Sequence, residues 1–153
     1  MPSHKVKYIY FNNTNYNLII KQSNIDNAGL GLFLDIHAEP ILKNVFLGYY
    51  FGYWNYDNKK QSNCSYYINK RICIDVNMEN RPFTSIMNDA YRTDFTNNII
   101  SKIVVDDHVL KNITKKNCDN YDPNKIIKLY TTKDILPGME LFFDYGENYW
   151  KSW

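Results

Sequence analysis

The stretch Leu136–Trp150, "LPGMELFFDYGENYW", sets a proline-glycine pair ahead of five aromatic rings and the acids Glu140, Asp144 and Glu147. Pro137 and Gly138 suit the two central positions of a type II turn, where proline fixes one negative φ and glycine accepts the positive φ that follows. "MELFFDYG" then reads as a short strand that stops at Gly146. By itself such a segment is a buried aromatic strand, so its meaning has to come from the rest of the chain.

Working outward, 14 Tyr, 8 Phe and many Ile and Val residues fall in short bursts separated by Asn and Asp clusters. That is the pattern of strands and turns. Strands are expected in "KYIYF", "NLIIKQS", "GLFLDI", "NVFLGYYFG", "CSYYIN", "RICIDV", "IISKIVV" and "KIIKLYTT". Helical periodicity is scarce, and "NRPFTSIMNDAY" has room for one short helix. Residues 106–125 show little regular pattern between two closely flanking strands and read as a long loop or insertion. No repeat and no linker divides the chain, which is expected to form a single domain over residues 1–153.

Eighteen basic and 16 acidic residues leave a net charge of +2, spread along the chain with only short lysine pairs. Nucleic-acid binders concentrate basic residues on one face, so direct nucleic-acid binding is not expected. Three cysteines, Cys64, Cys73 and Cys118, are odd in number and lack C-x-x-C spacing, which argues against a disulfide framework or a zinc knuckle. A reducing, intracellular compartment follows. No apolar run approaches the ~20 residues of a membrane span, and the first residues lack the order of a secretory signal. His4, His37 and His108 stand alone, and no metal or catalytic role is expected of them.

Read in order, "NAGLGLFL", "YYFGY", "TSIMNDAY" and "DILPGMELFFDYG" resemble the motifs of SET-domain lysine methyltransferases over residues 27–150, about four fifths of the chain. The closing motif is the most specific, matching at Gly138, Glu140, Leu141, Phe143, Asp144, Tyr145 and Gly146 together. The ending "ENYW" is similar to that of the small SET proteins of large DNA viruses, from which a viral source and a host nucleus are expected. Two departures stand out. Asp89 occupies the place of the family's histidine and Tyr91 that of its cysteine, a zinc ligand in members with a cysteine-rich segment after the domain. That segment is missing too, so a zinc-free version is expected.

The resemblance implies a mainly β fold of small curved sheets with a pseudoknot-like threading of the C-terminal segment. It implies transfer of a methyl group from S-adenosylmethionine to a lysine, with a histone tail as the substrate class and possible self-association as a homodimer. Tyr145 is then the catalytic pore tyrosine. Gly29, Leu30, Gly31, Asn88, Asp89 and Tyr145 line the cofactor, Asp89 through its backbone near the adenine. Tyr66, Phe143 and Tyr149 line the lysine channel, and Trp150 or Trp153 covers the adenine or the pore. Phe143 has no hydroxyl to hold a water, which leaves room for di- or trimethylation. The acids of the closing segment suit a basic peptide. A second reading stays open beside the enzyme: a SET-like module that binds peptide or cofactor without catalysis.

Overall fold

Short strands are what these aromatic and β-branched bursts produce: the described strands run two to five residues, and most are followed within three residues by an Asn, Asp or Gly. The computed structural model describes residues 9–55, 66–69 and 72–146. In chain order its strands are β1 (Ile9–Phe11), β2 (Leu18–Gln22), β3 (Leu30–Leu34), β4 (Phe46–Tyr49), β5 (Tyr53–Asn55) and β6 (Tyr66–Tyr67). They continue with β7 (Cys73–Asp75), β8 (Asn80–Pro82), β9 (Ile99–Ile103), β10 (Ile127–Thr131) and β11 (Glu140–Leu141). One α-helix, α1 (Asp107–Asn112), lies between β9 and β10.

The strands form three three-stranded sheets, β2-β3-β11, β4-β10-β9 and β5-β7-β6, and the parallel pair β1-β8. Side-chain pattern decides which strand is central. In β10, Ile127, Leu129 and Thr131 are buried while Lys128 and Tyr130 alternate outward, as expected of a strand with one face on the core. In β3, Gly31 through Leu34 are all buried, because β2 and β11 flank it on both edges and core packs against both faces. Leu32, Leu34, Leu47, Ile74, Ile99, Ile127, Leu129, Leu141 and Phe143 belong to one buried cluster. Each fully buried aliphatic side chain there contributes roughly 1.5–3 kcal/mol.

The Pro137–Gly138 turn is present as expected. Gly138 has φ +86° and the Met139 N–H donates to the Leu136 carbonyl at 3.0 Å. The turn is docked on β3 by hydrogen bonds from Gly138 N–H to the Leu34 carbonyl and from Leu34 N–H to the Met139 carbonyl.

Beyond β11 the chain is threaded. Phe143 N–H donates to the Asn88 carbonyl at 2.8 Å, while the Phe142 carbonyl accepts from Asn98 and Ile99 N–H and Asp144 N–H donates to the Ile99 carbonyl, each at 3.0 Å. The segment 142–144 is therefore held between the two ends of the 88–99 loop, with parallel bridges Asn88 to Phe142 and Ile99 to Phe143. This is the pseudoknot-like passage the resemblance implies, rare among folds generally.

Four local expectations are corrected. "NVFLGYYFG" is strand only at Phe46–Tyr49; β5 starts just beyond it at Tyr53, and between the two Gly52 passes so close to the Asp75 carbonyl that a Cβ there would collide with it. "NRPFTSIMNDAY" holds β8, one 3₁₀ turn at Phe83–Ser85 and then extended chain at Asn88. The 106–125 stretch carries α1 and two further 3₁₀ turns, and Leu110, Ile113 and Cys118 pack into the core cluster. Glu140 is buried, as described next, and is no part of an acidic peptide-facing edge.

Candidate active site

The threaded segment carries Phe143 and Tyr145, and the loop it passes through carries Met87, Asn88 and Asp89. Tyr145 is anchored at two points by that loop. Its hydroxyl donates to the Met87 carbonyl at 2.7 Å and its backbone N–H donates to Asp89 Oδ2 at 2.8 Å. Its ring stands edge-on to Phe143, with centroids 5.8 Å apart and planes at 89°. With the O–H spent on Met87, the phenol oxygen presents only acceptor capacity to any group that approaches it.

Asn88 ties this cluster to the glycine-flanked segment. Its amide nitrogen donates to the Leu30 carbonyl at 2.9 Å, and among the described residues no donor faces its amide oxygen. Gly29 has φ +75°, a conformation L residues rarely adopt, and a Cβ there would point into open space. Gly31 is glycine for a different reason. It lies inside β3, opposite Lys21, and a Cβ would collide with the Glu140 carboxylate. That carboxylate is buried, accepting from Ser23 Oγ at 2.7 Å and from Asn24 N–H at 2.8 Å. Its two charge-assisted hydrogen bonds explain how an ionised group is accommodated there. Asp144 remains exposed and caps Gly146 N–H at 2.8 Å, while Glu147 lies outside the described residues.

Tyr66 on β6 is tied to β9. Its hydroxyl shares a hydrogen bond of 2.8 Å with Ser101 Oγ, and its ring packs on Tyr50 at 5.5 Å. Burial pushes the Tyr66 phenol above its ordinary value, the Ser101 hydrogen bond acts in the opposite direction, and the charge of Asp144 adds to the rise. Tyr66 is thereby within electrostatic reach of the residue preceding Tyr145. Tyr149, Trp150 and Trp153 lie outside the described residues.

Of the residues the sequence singled out, Leu30, Asn88, Asp89, Phe143 and Tyr145 are linked by hydrogen bonds or ring contact, with Gly29 and Gly31 flanking Leu30, while Tyr66 is bonded to Ser101 on β9, the strand whose Ile99 pairs with the closing segment. Three contributors escaped sequence reading: Asn98, Ser101 and the Met87 carbonyl. Asn98 is buried and acts as a peptide surrogate, its amide nitrogen donating to the Glu140 carbonyl at 3.0 Å and its oxygen accepting from Phe142 N–H at 2.8 Å. In a chain so rich in Asn nothing marks this one. A groove of about 410 Å³ lies elsewhere, between the 13–16 loop, β4 and the 122–125 turn. It contains none of the converging groups around Tyr145.

The threading and these motifs find their counterpart among known proteins. A family model for the SET domain matches residues 7–146. The chain belongs to the SET-domain family. No curated protein matches it. Among solved structures, this SET domain is similar to the methyltransferase domain of human PR domain-containing protein 2, with a TM-score of 0.53 and 20% identity over 84% of this chain and 76% of that one. It is similar to KRYPTONITE in a complex with DNA, an H3(1–15) peptide and SAH, with a TM-score of 0.59 and 19% identity over 87% of this chain and 24% of that one. It is also similar to Chaetomium thermophilum polycomb repressive complex 2, with a TM-score of 0.60 and 24% identity over 87% of this chain and 16% of that one. The SET domain thus spans less than a quarter of those two longer chains, and at these identities the likeness is one of fold.

Proposed function

We propose that this SET domain is an S-adenosylmethionine-dependent protein lysine N-methyltransferase acting on a histone tail, and so in a nucleus. The observation that carries the reading is the double anchoring of Tyr145 by the Met87–Asp89 segment, whose Asn88 also holds the Leu30 carbonyl. Family membership supports it, and three of the similar structures hold S-adenosylmethionine or SAH by their descriptions.

The residues present fit the cofactor. Gly29 leaves room for a close approach of ligand to backbone, and the amide oxygen of Asn88 can accept from an α-ammonium group. Bound S-adenosylmethionine supplies an electrophilic methyl group on a positively charged sulfur. The chain's own residues supply orientation and a dry wall. A lysine amine has to be neutral to attack, yet at an ordinary pKa near 10.4 only about one in ~2500 is neutral at pH 7. Phe143 and the partly buried Tyr66 and Tyr145 offer a largely apolar surround in which desolvation disfavours the ammonium. The Tyr145 oxygen orients the amine and accepts weak C–H···O contacts from a methyl in transit. Holding amine and donor in line converts a two-body encounter into an oriented one, an effect worth several kcal/mol on the order of magnitude. Phe143 brings no hydroxyl to retain a water, which favours room for more than one methyl.

Substrate preference rests on less of the surface. Asp144 offers one exposed charge to a basic peptide, and β2, paired among the described residues only to β3, offers an edge on which a peptide can add as a strand. The test is transfer of labelled methyl from S-adenosylmethionine to histone H3 peptides by wild type and Tyr145→Phe. Transfer by wild type, lowered about 100-fold or more in the variant, is expected. Background counts for both, with the cofactor still bound, would replace the enzyme by a binding module.

A further inference from the structure

We propose that Asp89 is a positioning residue for Tyr145, acting through its side-chain carboxylate, an assignment that rests on the transferase reading above. At least three N–H donors converge on this one buried group. Oδ2 accepts from Tyr145 N–H at 2.8 Å, and Oδ1 accepts from Tyr91 N–H at 2.9 Å and from the Asn97 amide at 2.8 Å. A carboxylate offers acceptors on both oxygens, whereas the neutral imidazole that the family's histidine would place here has a single acceptor nitrogen. The departure from the family pattern at this position is therefore matched by this chain's own donors.

The geometry says what the carboxylate does for the site. Asn97 also accepts Ala90 N–H through its amide oxygen at 2.8 Å, so Asp89 and Asn97 brace the loop from both ends. Met87, two residues before Asp89, holds the Tyr145 hydroxyl, and Asn88 between them holds both the Phe143 N–H and the Leu30 carbonyl. The tyrosine's backbone and its phenol are thus clamped by one three-residue segment, and Asp89 fixes the backbone end. Freeing that end lets the phenol oxygen drift relative to the Asn88–Leu30 corner while the rest of the fold is kept.

Asp89→Asn preserves shape but gives one acceptor and one donor, so the amide meets an N–H on one side whichever way it turns. The expected result is a fall in kcat of about 10- to 100-fold, on the scale of a 1 Å misplacement. KM for the peptide and Kd for S-adenosylmethionine are expected to stay within about threefold, since neither site loses a contact. The decisive readout is the cycle with Tyr145→Phe in single turnover with excess enzyme. In that background Asp89→Asn is expected to lower the rate less than about threefold, because both changes act on the same phenol. Should Asp89→Asn fail to fold, Asn97→Ala carries the test: it removes one donor, loosens the carboxylate, and is expected to give a smaller loss of kcat with the same non-additivity. An equal fold-loss with and without the Tyr145 hydroxyl would make Asp89 a scaffold residue only and overturn the proposal. A wild type with no transfer at all removes the transferase reading itself and this assignment with it, an outcome distinct from active enzyme with additive losses.

Discussion

Replacing Gly31 by alanine puts a methyl group against a buried charge. The new Cβ would collide with Glu140 Oε2 and lie 3.0 Å from Glu140 Cδ and 3.2 Å from Ser23 Cβ. None of these can retreat cheaply, because Glu140 is 3% exposed and both of its oxygens are engaged, by Ser23 Oγ and Asn24 N–H. Moving the carboxylate weakens two hydrogen bonds to a charged group, each worth about 1.5–3 kcal/mol, and overpacking adds about 1–3 kcal/mol. With partial relaxation a loss of about 3–5 kcal/mol is expected, a large share of the ~5–15 kcal/mol that holds a domain folded. At about 2–4 °C per kcal/mol for a chain of this size, Tm should fall by roughly 6–20 °C. Urea and thermal melts of Gly31→Ala, Glu140→Ala and the double variant read the effect. Since Glu140→Ala removes the obstructing group, Gly31→Ala should lose little further stability in that background. A Tm unchanged within about 2 °C, or an equal loss in both backgrounds, refutes the packing explanation of this glycine.

Asn98→Ala leaves Phe142 N–H and the Glu140 carbonyl without their side-chain partner in a dry setting, and a loss of about 2–5 kcal/mol in urea melts is expected from the ~1–3 kcal/mol of each orphaned group. Tyr66→Phe tests the phenol on β6. Its folded-state pKa is raised, so the neutral form is favoured by folding; that contribution is complete below pH ~10 and disappears as pH rises past the ordinary tyrosine value toward the raised one. Stability of the wild type should therefore decline above pH ~10 more steeply than that of Tyr66→Phe, with the two curves parallel between pH 7 and 9.

Much of this architecture could be read from the chain because the strands are short and strongly patterned. The Pro137–Gly138 turn needed only φ arguments, and runs such as "KIIKLYTT" alternate clearly enough to show their core face. What stayed hidden was either too short or too distant. β5 is three residues, β8 ends in Pro82 and pairs in parallel with β1, and α1 has six residues, fewer than two full helical turns and too few for periodicity to register. Glu140 looked like a solvated acid because the groups that bury it, Ser23 and Asn24, lie 117 and 116 residues away. Asp89 could be recognised as a departure from a motif, yet its donor from Tyr145, 56 residues away, arrives only when the closing segment passes through the loop. Threading was legible through resemblance alone, since no local pattern encodes the passage of one segment between the ends of another.

The central claim is that the phenol of Tyr145 and a bound sulfonium methyl face each other beside Asn88. The most direct measurement is a nuclear Overhauser experiment on the protein bound to S-adenosylmethionine labelled with ¹³C at its methyl group. Cross-peaks from that methyl to the Tyr145 ring protons are predicted. Saturated binding with no such cross-peaks, and with shift changes gathered instead around β4 and the 122–125 turn, would contradict the account.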